Sequence, residues 1–150
     1  MKQAKLYEAH LMTSDLERSI QFYKRLGFTL DYVIEERRVA FFFLGDVESK
    51  ENLLGIWETD KEVPRRHIAF SISLDDLKNS IDWLKEKGIK AEESFGLPGT
   101  EPMVHAWMPA ASVYFSDPDG NSLEYISVLE NPPRRELGVV QLSEWEELNK

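Results

Sequence analysis

Few side chains in this sequence can do chemistry on a small molecule. There are three histidines, His10, His67 and His105, and no cysteine. Disulfides, thiolate metal sites and cysteine nucleophiles are therefore all excluded. The carboxylate of interest is Glu124, inside Leu123-Glu124-Tyr125-Ile126, a strand-like run. Burying an acid there is costly unless it is paired or bound to a metal. Taken singly, Glu124 reads equally as a solvent-facing hairpin residue and each histidine as structural. Taken together, His10, His67 and Glu124 make two imidazoles and a carboxylate, a facial ligand set with open positions for Fe(II), Mn, Ni or Zn.

These residues need elements to hold them. Residues 113–127 read as strand, turn and strand, with Asp117-Pro118-Asp119-Gly120-Asn121 as the turn. Residues 5–13 read as a first strand. Ser14 and Glu17 then form a capping box for a helix carrying Leu16, Ile20, Tyr23 and Leu26, with Gly27 at its end. Strands are expected at 28–35, 38–44 and 52–58. The pattern then recurs: a strand at 67–73, a helix at 75–87, a strand at 91–95, a loop at about 96–111, and the two strands around the turn. Residues 14–28 set above 75–89 without gaps share six of fifteen positions, among them Asp15/Asp76, Leu16/Leu77 and Gly27/Gly88. Each helix is preceded by a strand opening near a histidine, His10 and His67. The second spacing is four residues longer, which places the extra residues in the strand or its loop. The chain is thus read as a tandem β-α-β-β-β duplication, with units at about 5–60 and 64–130 and an appended tail at 131–150. Matching positions in a repeat favour ligation by the two histidines.

The long loop carries Met103, His105, Trp107 and Met108, and such loops are more often functional than decorative. The class is α+β. The composition, 42% hydrophobic and 30% charged, is that of a soluble globular protein. A net charge of −9 argues against nucleic acid and against anionic membrane surfaces. No apolar run approaches a membrane span, and residues 1–5 lack the apolar stretch of a secretory signal. A cytoplasmic protein acting on a small molecule is expected.

The segments A-H-L-M-T-S-D-L-E-R-S-I-Q-F-Y-K-R-L-G-F, R-H-I-A-F-S-I-S and V-Y-F-S-D-P-D-G-N-S-L-E resemble those of the glyoxalase, bleomycin-resistance and extradiol dioxygenase superfamily, the vicinal oxygen chelate fold. The resemblance implies an eight-stranded cup with a metal at its centre, held by His10, His67 and Glu124. A fourth ligand position falls near Gly55, with Glu58 close by but of opposite strand parity. The resemblance also implies a homodimer.

Three activities follow from it as expectations. The leading one is ring cleavage by an Fe(II) dioxygenase, because His105, Val113-Tyr114, Asp117-Pro118-Asp119-Gly120 and Glu124 keep that branch's order. His105 would transfer protons and Tyr114 would bond a substrate oxygen. The second is glyoxalase-type lyase or fosfomycin-resistance-type thiol transferase chemistry. Gly55 opposes the glyoxalase ligand set, and Met12 stands where the fosfomycin branch carries a small polar residue. The third is metal-free drug binding. Met12, Trp57, Met103 and Trp107 are expected to line the substrate pocket.

Overall fold

The computed structural model describes residues 2–150, and Met1 lies outside the described residues. The chain divides into two units. The first runs to Arg66 and takes in Asp117–Asn121; the second holds His67–Ser116 and Ser122–Lys150.

The first unit contains β1 (Glu8–Thr13), α1 (Leu16–Arg25), β2 (Thr29–Ile34), β3 (Val39–Leu44) and β4 (Asn52–Glu58). They form one mixed sheet in the order β1-β4-β3-β2, with β1 parallel to β4. Side chains alternate across a strand, so register decides what faces α1. Leu11, Phe42, Leu54 and Ile56 fall on one face and are buried, as are Leu16, Phe22 and Tyr23 of α1. Each such side chain is worth about 1.5–3 kcal/mol when fully buried. The other face carries His10, Met12, Phe41, Gly55 and Trp57.

The expected capping box is not formed. The N-cap of α1 is Asp15, whose side chain accepts from the Arg18 N–H at 3.0 Å. Ser14 is drawn off by Asp119, which accepts its backbone N–H at 2.9 Å and its hydroxyl at 2.7 Å. Glu17 is drawn to Arg38. The turn itself is organised by Asp117. Its carboxylate accepts from the Tyr23 hydroxyl, the Asn121 amide and two turn N–H groups.

The second unit contains β5 (His67–Ser71), α2 (Leu74–Glu86), β6 (Met103–His105), β7 (Ala110–Ser116), β8 (Ser122–Val128), β9 (Val139–Gln141) and α3 (Leu142–Leu148). Its sheet order is β5-β8-β7-β6-β9, and β5 runs parallel to β8. Without β9 this repeats the first sheet strand for strand, so the duplication is present in the topology. Val113, Phe115, Leu123 and Tyr125 are buried on the face that packs against α2.

Four expectations are corrected here. The tail is not an appendage: β9 pairs with β6 and extends the sheet, a ninth described strand beside the eight of the two units. Residues 91–95 form no strand. Ser94 and Leu97 close a tight turn there, with Phe95 and Gly96 both at positive φ. The second strand of this unit is instead Met103–His105, read from sequence as loop, which is buried between β7 and β9. Finally, the four extra residues after His67 lie mostly in the helix. Relative to the repeat, α2 starts three residues early, at Leu74, and β5 runs one residue further past its histidine than β1 does.

Among the described residues, no helix is long and apolar enough to cross a membrane.

Candidate functional site

Alternation sorts the second sheet into a greasy face under α2 and a polar face. The polar face carries His67 from β5, Ser122 and Glu124 from β8, Ser112 and Tyr114 from β7, and Met103 and His105 from β6. His67 is opposite Ser122, and Glu124 is the diagonal neighbour two residues on.

The His67 Nε2 lies 2.9 Å from Glu124 Oε2. The ring's other nitrogen, Nδ1, lies 3.1 Å from the Ser122 carbonyl oxygen and 3.2 Å from its hydroxyl. A carbonyl can only accept, so Nδ1 carries a proton and donates it. A neutral ring then turns the Nε2 lone pair toward a carboxylate, two acceptors face to face. A proton or a cation belongs between them. Fixing one imidazole nitrogen through a backbone carbonyl is also how metal-binding histidines are held. Glu124 is buried, and its second oxygen accepts the Ser112 hydroxyl at 2.5 Å. This donor set suits a divalent metal such as Mn, Fe, Ni or Zn.

His10 sits in the first unit on the face with Gly55, its direct partner across the ladder. The ring lies against Gly55: a Cβ there would meet His10 Cδ2 at 3.1 Å, Nε2 at 3.3 Å and Phe41 at 3.0 Å. The Trp57 indole N–H donates to Nδ1 at 3.0 Å, and Nε2 lies 3.2 Å from Glu8. With Nδ1 accepting, a neutral ring keeps its proton on Nε2 and gives it to Glu8. Ligation by His10 therefore requires this arrangement to change. Among the described residues, no group of three or more His, Asp or Glu side chains is gathered to hold a metal ion.

Glu58 faces away from His10, toward α1, as its parity requires. Its oxygens accept from Arg38 at 2.9 Å and from the Leu16 N–H at 2.8 Å, so it serves the start of the helix rather than a fourth ligand position. The Arg38 hydrogen bonds, then the Leu16 N–H, hold its carboxyl below the usual range. Of the expected pocket residues, Met12 and Trp57 share His10's face, Met103 is fully buried, and Trp107 is exposed.

His105 is buried, and its Nε2 lies 2.7 Å from the Tyr114 hydroxyl. Tyr114 stands directly across from Glu124, and burial, then that carboxylate, pushes the phenol's ionisation up. A hydroxyl has one proton. If Tyr114 gives it to Glu124, His105 must donate from Nε2, which leaves Nδ1 as a bare lone pair. Nδ1 is buried with no hydrogen-bond partner among the described residues, consistent with that tautomer. Burial lowers the His105 pKa below the ordinary 6.5. Below pH 6.5 the unfolded chain takes a proton that the folded chain does not, so this residue's contribution to stability is lost as pH falls below that value. The expected result is an NMR titration of the His105 ring with a midpoint below 6.5; a midpoint at or above 6.5 would mean the ring is solvated.

Sequence reasoning missed Ser112 and Ser122. Parity offered the signal, since each lies two residues from Tyr114 or Glu124 on the same strand and so on the same face.

The model of the Glyoxalase/Bleomycin resistance protein/Dioxygenase superfamily matches residues 5–125. The metallothiol transferase FosB of Staphylococcus epidermidis is 33% identical over 118 residues, covering 74% of this chain and 72% of its own. FosB of Lysinibacillus sphaericus is 31% identical over 128 residues, covering 77% and 78%. Among solved structures, an integron cassette protein from the mobile metagenome of the Halifax Harbour sewage outfall superposes with a TM-score of 0.68 at 26% identity, covering 83% of this chain and 98% of its own. Lactoylglutathione lyase from Agrobacterium tumefaciens does so at 0.66 and 18% identity, over 85% and 96%, a likeness of fold alone.

Proposed function

The chain belongs to the glyoxalase/bleomycin resistance protein/dioxygenase superfamily, and from that premise we propose a divalent-metal-dependent enzyme that transfers a low-molecular-weight thiol to a small electrophile. The observation that carries the metal reading is the His67–Glu124 pair, two acceptor atoms 2.9 Å apart on a ring fixed from behind by Ser122. The relatives named metallothiol transferase favour thiol transfer over the ring cleavage that the order of His105, Tyr114 and Glu124 suggested.

In this reading His67 and Glu124 hold the metal from within the second unit. A metal bound there supplies Lewis acidity to a substrate oxygen. Ser122 orients the His67 ring. Ser112 and Tyr114 hold the Glu124 carboxylate, and His105 positions the Tyr114 hydroxyl from inside the sheet. In the transfer, a C–S bond forms as a C–O bond of the electrophile breaks, and the thiol's proton ends on the released oxygen. Met12, beside His10's face, replaces the small polar residue of the fosfomycin branch and so points to a different electrophile.

Ring cleavage stays as the second reading, on the bonded series His105, Tyr114 and Glu124. One experiment separates the two. Protein loaded anaerobically with Mn(II) or Fe(II) is given glutathione or cysteine with a panel of epoxides, and separately catechols with O₂. Metal-dependent thioether formation is expected. Fe(II)-dependent O₂ uptake with catechols, and no thioether, would replace this proposal with ring cleavage; tight ligand binding without metal would replace both with a drug-binding role. A homodimer is part of the proposal, because β2 ends its sheet with an open edge that needs cover.

A further inference from the structure

The turn at residues 91–99 in the second unit does work that its length alone does not require. Glu92 donates its N–H to the Tyr114 carbonyl at 2.8 Å, and its carboxylate accepts the Ser116 hydroxyl at 2.6 Å. Ser94 and Leu97 exchange both backbone hydrogen bonds, at 3.1 and 2.9 Å. At the base, Gly99 comes so close to the other arm that a Cβ would sit 2.7 Å from the Ala91 carbonyl oxygen. The segment is therefore pinned at its start, middle and end.

What it holds at its tip is Phe95, at a φ of 55°, a conformation that favours glycine or asparagine in such two-residue turns. The ring is 62% exposed. It stands edge-on to His105 at 5.0 Å and lies 5.9 Å from Tyr114. Trp107, 43% exposed, joins the same cluster, 4.8 Å from His105. Tyr114 in turn lies 6.2 Å from His67. Ring contacts thus run without a break from the His67–Glu124 pair to two solvent-exposed aromatic rings. Scattered apolar residues on a surface need no explanation. Two rings converging on one buried imidazole, one of them held in an unfavoured backbone conformation, do.

We propose that Phe95 and Trp107 form an aromatic wall that selects substrates carrying a flat apolar group beside their metal-binding oxygens. This rests on the metal-dependent reading of His67 and Glu124. Both rings meet His105 in T-shaped contacts yet stay 62% and 43% exposed, which leaves aromatic surface for a planar group to stack on. An aryl-substituted substrate meets this wall, whereas a short alkyl one does not reach it.

The test uses phenylphosphonate and methylphosphonate, whose oxygens suit a hard divalent cation and which differ only in the apolar group. Mn(II) binding is first measured by electron paramagnetic resonance, and each phosphonate is then titrated calorimetrically into the Mn(II)-loaded protein. The phenyl compound is expected to bind about tenfold more tightly. Phe95→Gly, which suits the positive φ, and Trp107→Ala should each bring the two within about twofold of one another with Mn(II) affinity unchanged. Mn(II) binding with no phenyl preference, with no binding of either compound, or with a preference that survives both substitutions would overturn the aromatic wall alone. Failure to bind Mn(II) at all would overturn the metal reading and this inference with it.

Discussion

Glu124→Gln is expected to abolish metal binding while leaving a folded chain. The substitution keeps the side chain's size and an oxygen able to accept from Ser112. It removes the negative charge and turns one acceptor position into an N–H donor facing His67 Nε2. Loss of an orienting partner behind a metal ligand typically weakens binding by about 10- to 100-fold. Loss of the ligand itself should exceed that, so Mn(II) affinity is expected to fall by more than ~100-fold and turnover with it. Ser122→Ala should fall within the smaller range, because the carbonyl that holds Nδ1 remains. Electron paramagnetic resonance titration of Mn(II) reads both variants directly. Unchanged affinity in Glu124→Gln would remove this carboxylate from any metal site, and the proposed reaction would lose its anchor.

How much of this site the sequence disclosed depends on the kind of information each feature needs. Alternation in 67–71 is local, and it was enough to put His67 on one face of its strand and Ile68 and Phe70 on the other. The helix repeat gave the tandem β-α-β-β-β order, while the order in which the strands pair came only with the structure. Long-range competition was not legible. Ser14 looks like an N-cap until Asp119, more than a hundred residues away, takes both of its polar groups. Residues 91–95 read as a strand because nothing in them announces a turn until Gly96, and Phe95 is an unusual occupant of a left-handed position. Met103–His105 is only three residues long, and its strand character comes from being paired on both edges. Trp57 donating to His10 depends on cross-strand register that no motif encodes.

Asp117→Ala is expected to cost the largest share of stability of any single change near the turn. Asp117 is buried, and each of its oxygens accepts twice. Oδ2 takes the Tyr23 hydroxyl and the Asn121 amide, both at 2.8 Å, and Oδ1 takes the N–H groups of Asp119 and Asn121 at 2.9 Å. Tyr23 and Asn121 are fully buried, so alanine strands the Tyr23 hydroxyl and leaves the Asn121 amide only its longer bond to the Met12 carbonyl at 3.3 Å. An unsatisfied buried group costs about 1–3 kcal/mol, and breaking a buried charged network about 3–5 kcal/mol in all. Against a typical stability of about 5–15 kcal/mol that is a large fraction. Tyr23→Phe is the control: it removes one donor and leaves the carboxylate three others, so about 1 kcal/mol is expected. Urea denaturation followed by circular dichroism measures the difference, and a loss below about 1 kcal/mol for Asp117→Ala would show that the network contributes no more than any single hydrogen bond. The same turn joins β7 to β8 and sets their register, which is what puts Tyr114 opposite Glu124. A chain that keeps its fold but loosens this turn should therefore lose metal affinity along with stability, while Tyr23→Phe should lose little of either.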